Sequence, residues 1–86
     1  MLVHEHSKPK PTQYDYAQLA ALSQAYNIAE AKYLLFAKRF KDRYGKDDFR
    51  VYEQLSSVYS AQGRYEESIK AFLFFLSISS SSSEAD

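Results

Sequence analysis

The sequence predicts an all-α fold of two antiparallel helical hairpins, four helices between about residues 12 and 78. Three observations carry this reading. Apolar residues recur at three- and four-residue spacing in four successive stretches, and no strand-like alternation outcompetes them. The 86 residues include only two glycines and two prolines, which leaves little turn chemistry outside the places where helices would end. Eight tyrosines and six phenylalanines supply bulky residues for an aromatic-packed core.

The elements follow in order. Residues 1–11 hold both prolines, Pro9 and Pro11, with no periodicity, and read as a flexible arm. Thr12 with Asp15 approximates a capping box for a first helix, whose Tyr16, Leu19, Ala20 and Ser23 fall on one face. A second start follows at Asn27, an N-cap residue with Glu30 three positions on. Its helix shows one stripe of Tyr33, Phe36, Ala37, Phe40 and Tyr44, and a second of Ile28, Ala31 and Leu35. Gly45 ends it as a left-handed C′ residue after a basic last turn. Asp47 or Asp48 caps the third helix, with Phe49, Tyr52, Leu55, Ser56 and Tyr59 at helical spacing up to Gly63. The fourth runs from Tyr65 to about Ile78, and the serine-rich end, residues 79–86, reads as a disordered tail.

Residues 52–76, YEQLSSVYSAQGRYEESIKAFLFFL, resemble a tetratricopeptide repeat, a 34-residue helix-turn-helix unit. Tyr52 stands at the family's usual Trp, Leu55 at its Leu, Ser56 at the small position and Tyr59 at its Tyr. Gly63 takes the turn glycine, Tyr65 the next aromatic, Ser68 the second small position and Phe72 the aromatic of the second helix. Small residues at 56 and 68 would let the two helices approach closely. Residues 13–45 resemble the family less: Ala31 aligns with Ser68 at a spacing of 37, Tyr26 replaces the turn glycine, and Lys38 departs from the small or apolar pattern. They read as a degenerate repeat with a long second helix, ahead of a better-matching repeat at 47–78. The resemblance implies a short stacked superhelix, and the missing proline after the second unit (Ser80 instead) fits a terminal repeat.

Composition narrows the function. Apolar residues make up 45% and charged residues 26%, a soluble globular balance. A chain this short buries only about 60–65% of its unfolded surface, which leaves little room for an enzyme pocket. With no cysteine there is neither a disulfide framework nor a thiolate metal site. The formal net charge is zero, but residues 1–46 hold 8 basic and 4 acidic side chains and residues 47–86 hold 3 and 7. The chain is therefore a charge dipole along its length. No apolar run reaches the ~18 residues needed to span a bilayer, and the start lacks a signal-peptide core. A cytoplasmic location is expected.

Candidate chemistry is sparse. His4 and His6 could pair on a metal, but no third ligand follows at suitable spacing. The acidic pairs Asp47/Asp48 and Glu66/Glu67 sit where helix N-termini favour negative charge. No phosphate loop or nucleophile motif occurs, so neither an enzyme, a metal site nor a cofactor is expected. Lys38, Arg39, Lys41, Arg43 and Lys46 interleave with Phe40 and Tyr44, a combination that single-stranded nucleic-acid binders use. Cations in the last turns of a helix are stabilised there regardless, so a solvated or protein-contacting face is the first reading and nucleic acid the alternative.

The strongest signal is AFLFFLSI at 71–78, apolar nearly all round, where a surface helix should show one stripe. By the repeat pattern Phe72, Phe75 and Leu76 face the hairpin's own core, while Leu73, Phe74 and Ile78 are left for a partner. A terminal repeat needs a polar outer face, and this one has the opposite. The resemblance also implies a peptide-binding concave face, here lined by Arg50, Glu53, Ser57, Ser60 and Ala61. Glu53 and Ser57 are not the cationic and amide residues of the family's carboxylate-clamping members. The expected function is an adaptor or chaperone-like protein-interaction module that self-associates or binds an obligate protein partner.

Overall fold

The computed structural model describes residues 10–85. Four helices follow one another: α1 Gln13–Leu22, α2 Tyr26–Tyr44, α3 Phe49–Ala61 and α4 Tyr65–Ala85. There is no strand among the described residues. Each helix packs on its chain neighbour, so the fold is a stack of two helical hairpins, α1–α2 and α3–α4, joined through α2 on α3. The residues in contact run in opposite order along α3 and α4: Ser56 meets Ser68, Tyr52 meets Phe74, and Phe49 meets Phe75.

Local chemistry sets the helix ends. Thr12 and Asp15 form a full capping box, the Asp15 N–H donating to Thr12 Oγ1 and the Thr12 N–H to Asp15 Oδ2. Asp48 caps α3, accepting from the Arg50 N–H at 3.0 Å and from its guanidinium at 2.9 and 3.2 Å. Gly45 closes α2 at φ +72°, where a side chain would be strained. Asn27 does not cap α2. The N-cap lies two residues earlier, at Ala25, and the helix begins at Tyr26 without a side-chain cap.

That turn reproduces the α3–α4 turn bond for bond. Ser23 N–H donates to Leu19 O as Gln62 does to Val58, Gln24 to Ala21 as Gly63 to Ser60, Ala25 to Ala20 as Arg64 to Tyr59, and Ala29 to Ala25 as Ser68 to Arg64. Every equivalent pair is 39 residues apart. The repeat offset is thus 39 rather than the 37 expected, and Ala29, fully buried, matches Ser68, whereas Ala31 is exposed. The turn glycine's place is taken by Gln24, at φ +63°, not by Tyr26. The same offset carries α2 onto residues 65–83, which accounts for α4 running to Ala85 instead of ending near Ile78. No glycine or proline follows Gly63 to stop it, and serine is tolerated in a helix. The expected disordered tail is therefore helical through Ala85. The expected arm lies outside the described residues except for its last two positions.

The core runs along the stack as Ala17, Ala29, Tyr33, Ala37, Val51, Leu55, Val58 and Ala71. On α1 the inward residues are Ala17 and Tyr14, which sets its ring edge-on to Tyr33 and Phe36, with Ala20 and Ala21 packed beside them. Of the expected row Tyr16, Leu19, Ala20 and Ser23 only Ala20 meets the core. Small residues govern the crossings. Ser68 Oγ donates to the Ser56 carbonyl at 2.7 Å, which leaves the Ser56 hydroxyl as donor across the 3.0 Å gap between the two side chains. Ala17 and Ala29 hold the equivalent places in the first hairpin.

Two outcomes follow. Ser68→Leu should cost ~1–3 kcal/mol by overpacking this crossing, against ~1 kcal/mol for Ser68→Ala, as read by urea unfolding. Gln24→Gly should stabilise by ~0.5–1 kcal/mol through relief of the left-handed backbone, and Gly63→Gln should cost about as much. Nothing lies within 4 Å of a Cβ at Gly63, so the second cost is backbone strain alone.

Candidate functional site

The α4 surface divides into three lanes. Ser68, Ala71, Phe75 and Ile78 turn toward α3, with Ala71 buried and Phe75 stacked on Phe49 at 5.9 Å. Glu66, Glu67, Lys70 and Ser77 form a polar lane. Between these lanes lies an apolar row of Tyr65, Ile69, Phe72, Leu73 and Leu76, spaced i, i+4, i+7, i+8 and i+11 along one face. Ile69 is 60% exposed, Leu73 59%, Leu76 44% and Phe72 43%.

Leu73 is therefore uncovered, as expected, and the first hairpin does not fold over it. The rest of the expected partition changes. Phe74 sets its ring edge-on to Tyr52 of its own hairpin at 4.6 Å, so it belongs partly to the core, and Ile78 is half-buried. Phe72 and Leu76, expected inward, are on the open row. The family pattern concealed this, because it names core positions for a helix that another repeat covers.

The residues expected to line a groove do not act together. Ser57 and Ala61 line a depression of about 360 Å³ with Gln18, Ala21 and Leu22 of α1 and with Tyr33. Arg50 is held by Asp48 and lies 5.8 Å over the Tyr14 ring. Glu53 and Ser60 are exposed and do not line that depression. The basic cluster is dispersed similarly. Lys38 pairs with Asp42 at 3.1 Å and Lys41 with Asp47 at 3.5 Å, while Arg43 lies 5.7 Å over Tyr44. Arg39 and Arg43 flank a depression with Phe36, Phe40 and Tyr44, and Lys46 stands exposed beyond it. Tyr44 faces outward, contrary to the inward position its stripe implied.

Electrostatics tie the hairpins together. Arg64, in the second turn, donates to Glu30 of α2 at 2.7 Å and to Glu67 of α4 at 2.6 Å, and its guanidinium lies 4.6 Å over the Tyr59 ring. Its pKa rises and that of Glu67 falls, each chiefly through the hydrogen bond between them. Burial raises the Tyr59 phenol, and the charge of Glu30 adds to the shift.

No group of three or more potential metal ligands occurs among the described residues, and His4 and His6 lie outside them. No helix among the described residues is long and apolar enough to cross a membrane. No protein-family model matches the chain, and comparison with curated proteins and with solved structures likewise gives no match.

Tyr33 reports on the α2–α3 contact. Burial, aided by Tyr14, pushes its phenol up to about 12. A raised folded-state pKa means that this contribution is intact below the unfolded value near 10 and is lost as pH climbs toward 12. Stability should fall by on the order of 2 kcal/mol across that window. Tyr33→Phe should move the alkaline limb of the unfolding curve to higher pH, as followed by circular dichroism.

Proposed function

We propose that the chain is a non-catalytic protein-interaction module of the tetratricopeptide-repeat type, an adaptor or chaperone-like subunit of the cytoplasm. Its working surface is the apolar row of α4. The observation that carries this reading is the exposure of Ile69, Phe72, Leu73 and Leu76 side by side on one face of α4. A contiguous apolar patch of this kind marks association in a soluble domain. The resemblance of residues 52–76 to the repeat family and the hairpin stack support the same class. The alternative, nucleic-acid binding through residues 38–46, has less behind it, since Lys38 and Lys41 are engaged by Asp42 and Asp47.

A photo-cross-linking residue placed at Leu73, and separately at Ser57, tests the assignment in cells expressing the chain. Irradiation should give a discrete protein adduct, to any protein including the chain itself, from position 73. Adducts from neither position, or from 57 alone, would overturn the α4 reading.

A further inference from the structure

The open row on α4 has a counterpart inside the same molecule, where α2 faces α3: Tyr33 and Ala37 are buried there and Glu30 half-buried, while Leu34 stays 44% exposed. In α2 the residues that face α3 and the turn after it are Glu30, Tyr33, Leu34 and Ala37. Glu30 binds Arg64, while Tyr33 shares a depression with Val58 and Ala61, Leu34 one with Tyr52, Leu55 and Tyr59, and Ala37 one with Tyr52. The 39-residue equivalence of the two turns carries these four positions onto Ile69, Phe72, Leu73 and Leu76. The exposed row is thus the surface by which a second helix of this fold receives the first helix of the next hairpin.

The reverse surface is open too. The residues of α3 that meet α2 are Tyr52, Leu55, Val58 and Tyr59, whose equivalents on α1 are Gln13, Tyr16, Leu19 and Ala20. Tyr16 is 47% and Leu19 62% exposed, although the rest of α1 packs through Tyr14 and Ala17. Among the described residues, α4 thus presents an open socket and α1 an open ridge of Tyr16 and Leu19, flanked by the half-buried Gln13 and Ala20. Resting on the protein-interaction reading above, we infer that the occupant of the α4 row is α1 of a second copy of this chain, docked head to tail as α3 docks on α2 within one copy.

Two features favour this occupant over a symmetric pairing of two α4 helices. Residues 1–46 carry net +4 and residues 47–86 net −4, which steers a head-to-tail encounter and opposes α4 on α4, although α1 itself bears only Asp15 and most of the cations lie on α2. At the positions of the ion pair between Glu30 of α2 and Arg64 of the α3–α4 turn the contact is also more apolar, with Ile69 opposite Ala25. Such an interface is heterologous and leaves one free socket and one free helix on every assembly, so growth continues past the dimer unless a ring closes.

The test uses sedimentation equilibrium on the wild-type chain, on Leu73→Glu and on Leu19→Glu, each checked for helix content. The wild-type mass should climb with concentration beyond twice the 9.9 kDa monomer by ~100 μM, the range of a small transient interface. Each variant alone should remain monomeric. Mixed in equal amounts they should form a heterodimer that grows no further, because the mixture holds one intact socket and one intact helix. A monomeric wild type overturns the inference, as does a Leu19→Glu chain that still self-associates or a folded mixture that stays monomeric. A Leu73 cross-link to a different protein alone would remove the self-stacking while leaving the interaction module standing.

Discussion

A helical hairpin closes only one side of its second helix, and the architecture of this chain follows from that constraint. Helices α2 and α4 each carry an apolar face for their own hairpin partner and another for whatever comes next. In α2 the second face is covered by α3, and Tyr33 and Ala37 become core. In α4 the corresponding positions hold Phe72 and Leu76, and none of the described residues covers them fully. Stability in such stacks is a sum over neighbouring contacts, so an end helix forgoes one of its two interface contributions.

Register within the stack is set by turns and small residues more than by the large apolar ones. The two turns share their hydrogen bonds although one uses glycine and the other Gln24 at positive φ. The α3–α4 turn has no steric cost at Gly63, and the α1–α2 turn tolerates the strain at Gln24 because the bonds of Ser23 and Ala25 on either side hold it. Beyond each turn the helices cross at Ala17 and Ala29 or at Ser56 and Ser68, and the serine pair adds a bonded contact that only one register allows. Arg64 then fixes the second hairpin on the first by gripping Glu30 and Glu67 together.

This division explains what was legible in the sequence. Helix count, the Thr12 box, the Asp48 cap, the Gly45 and Gly63 turns and the Ser56–Ser68 crossing could be read because each depends on neighbours a few residues away or on a spaced small pair. The first hairpin's true register could not. Its signals, Gln24 and Ala29, lie among alanines and lack the glycine and serine that mark the second. Helical periodicity gave Tyr16, Leu19 and Ala20 as one face but could not tell an inward face from one left for a neighbour, and the same ambiguity reversed Phe72 and Leu76. The serine run was misread for a related reason: composition argued against a core there, yet a helix end needs only the absence of a stop signal and a well-anchored start.

The open faces bear on stability as well as on association. A chain of this size has a small core, here built largely from alanines, valines and a few larger residues, and several of its aromatics are half in water. Covering Ile69, Phe72, Leu73 and Leu76 would remove apolar surface from water, and each fully buried side chain of this kind is worth ~1.5–3 kcal/mol. A partner that binds only the folded stack raises its stability by mass action in proportion to the logarithm of its concentration. Folding and docking are then one equilibrium seen from two sides. A polar face on α4 would raise solubility while removing the apolar surface through which such a partner would reinforce the fold.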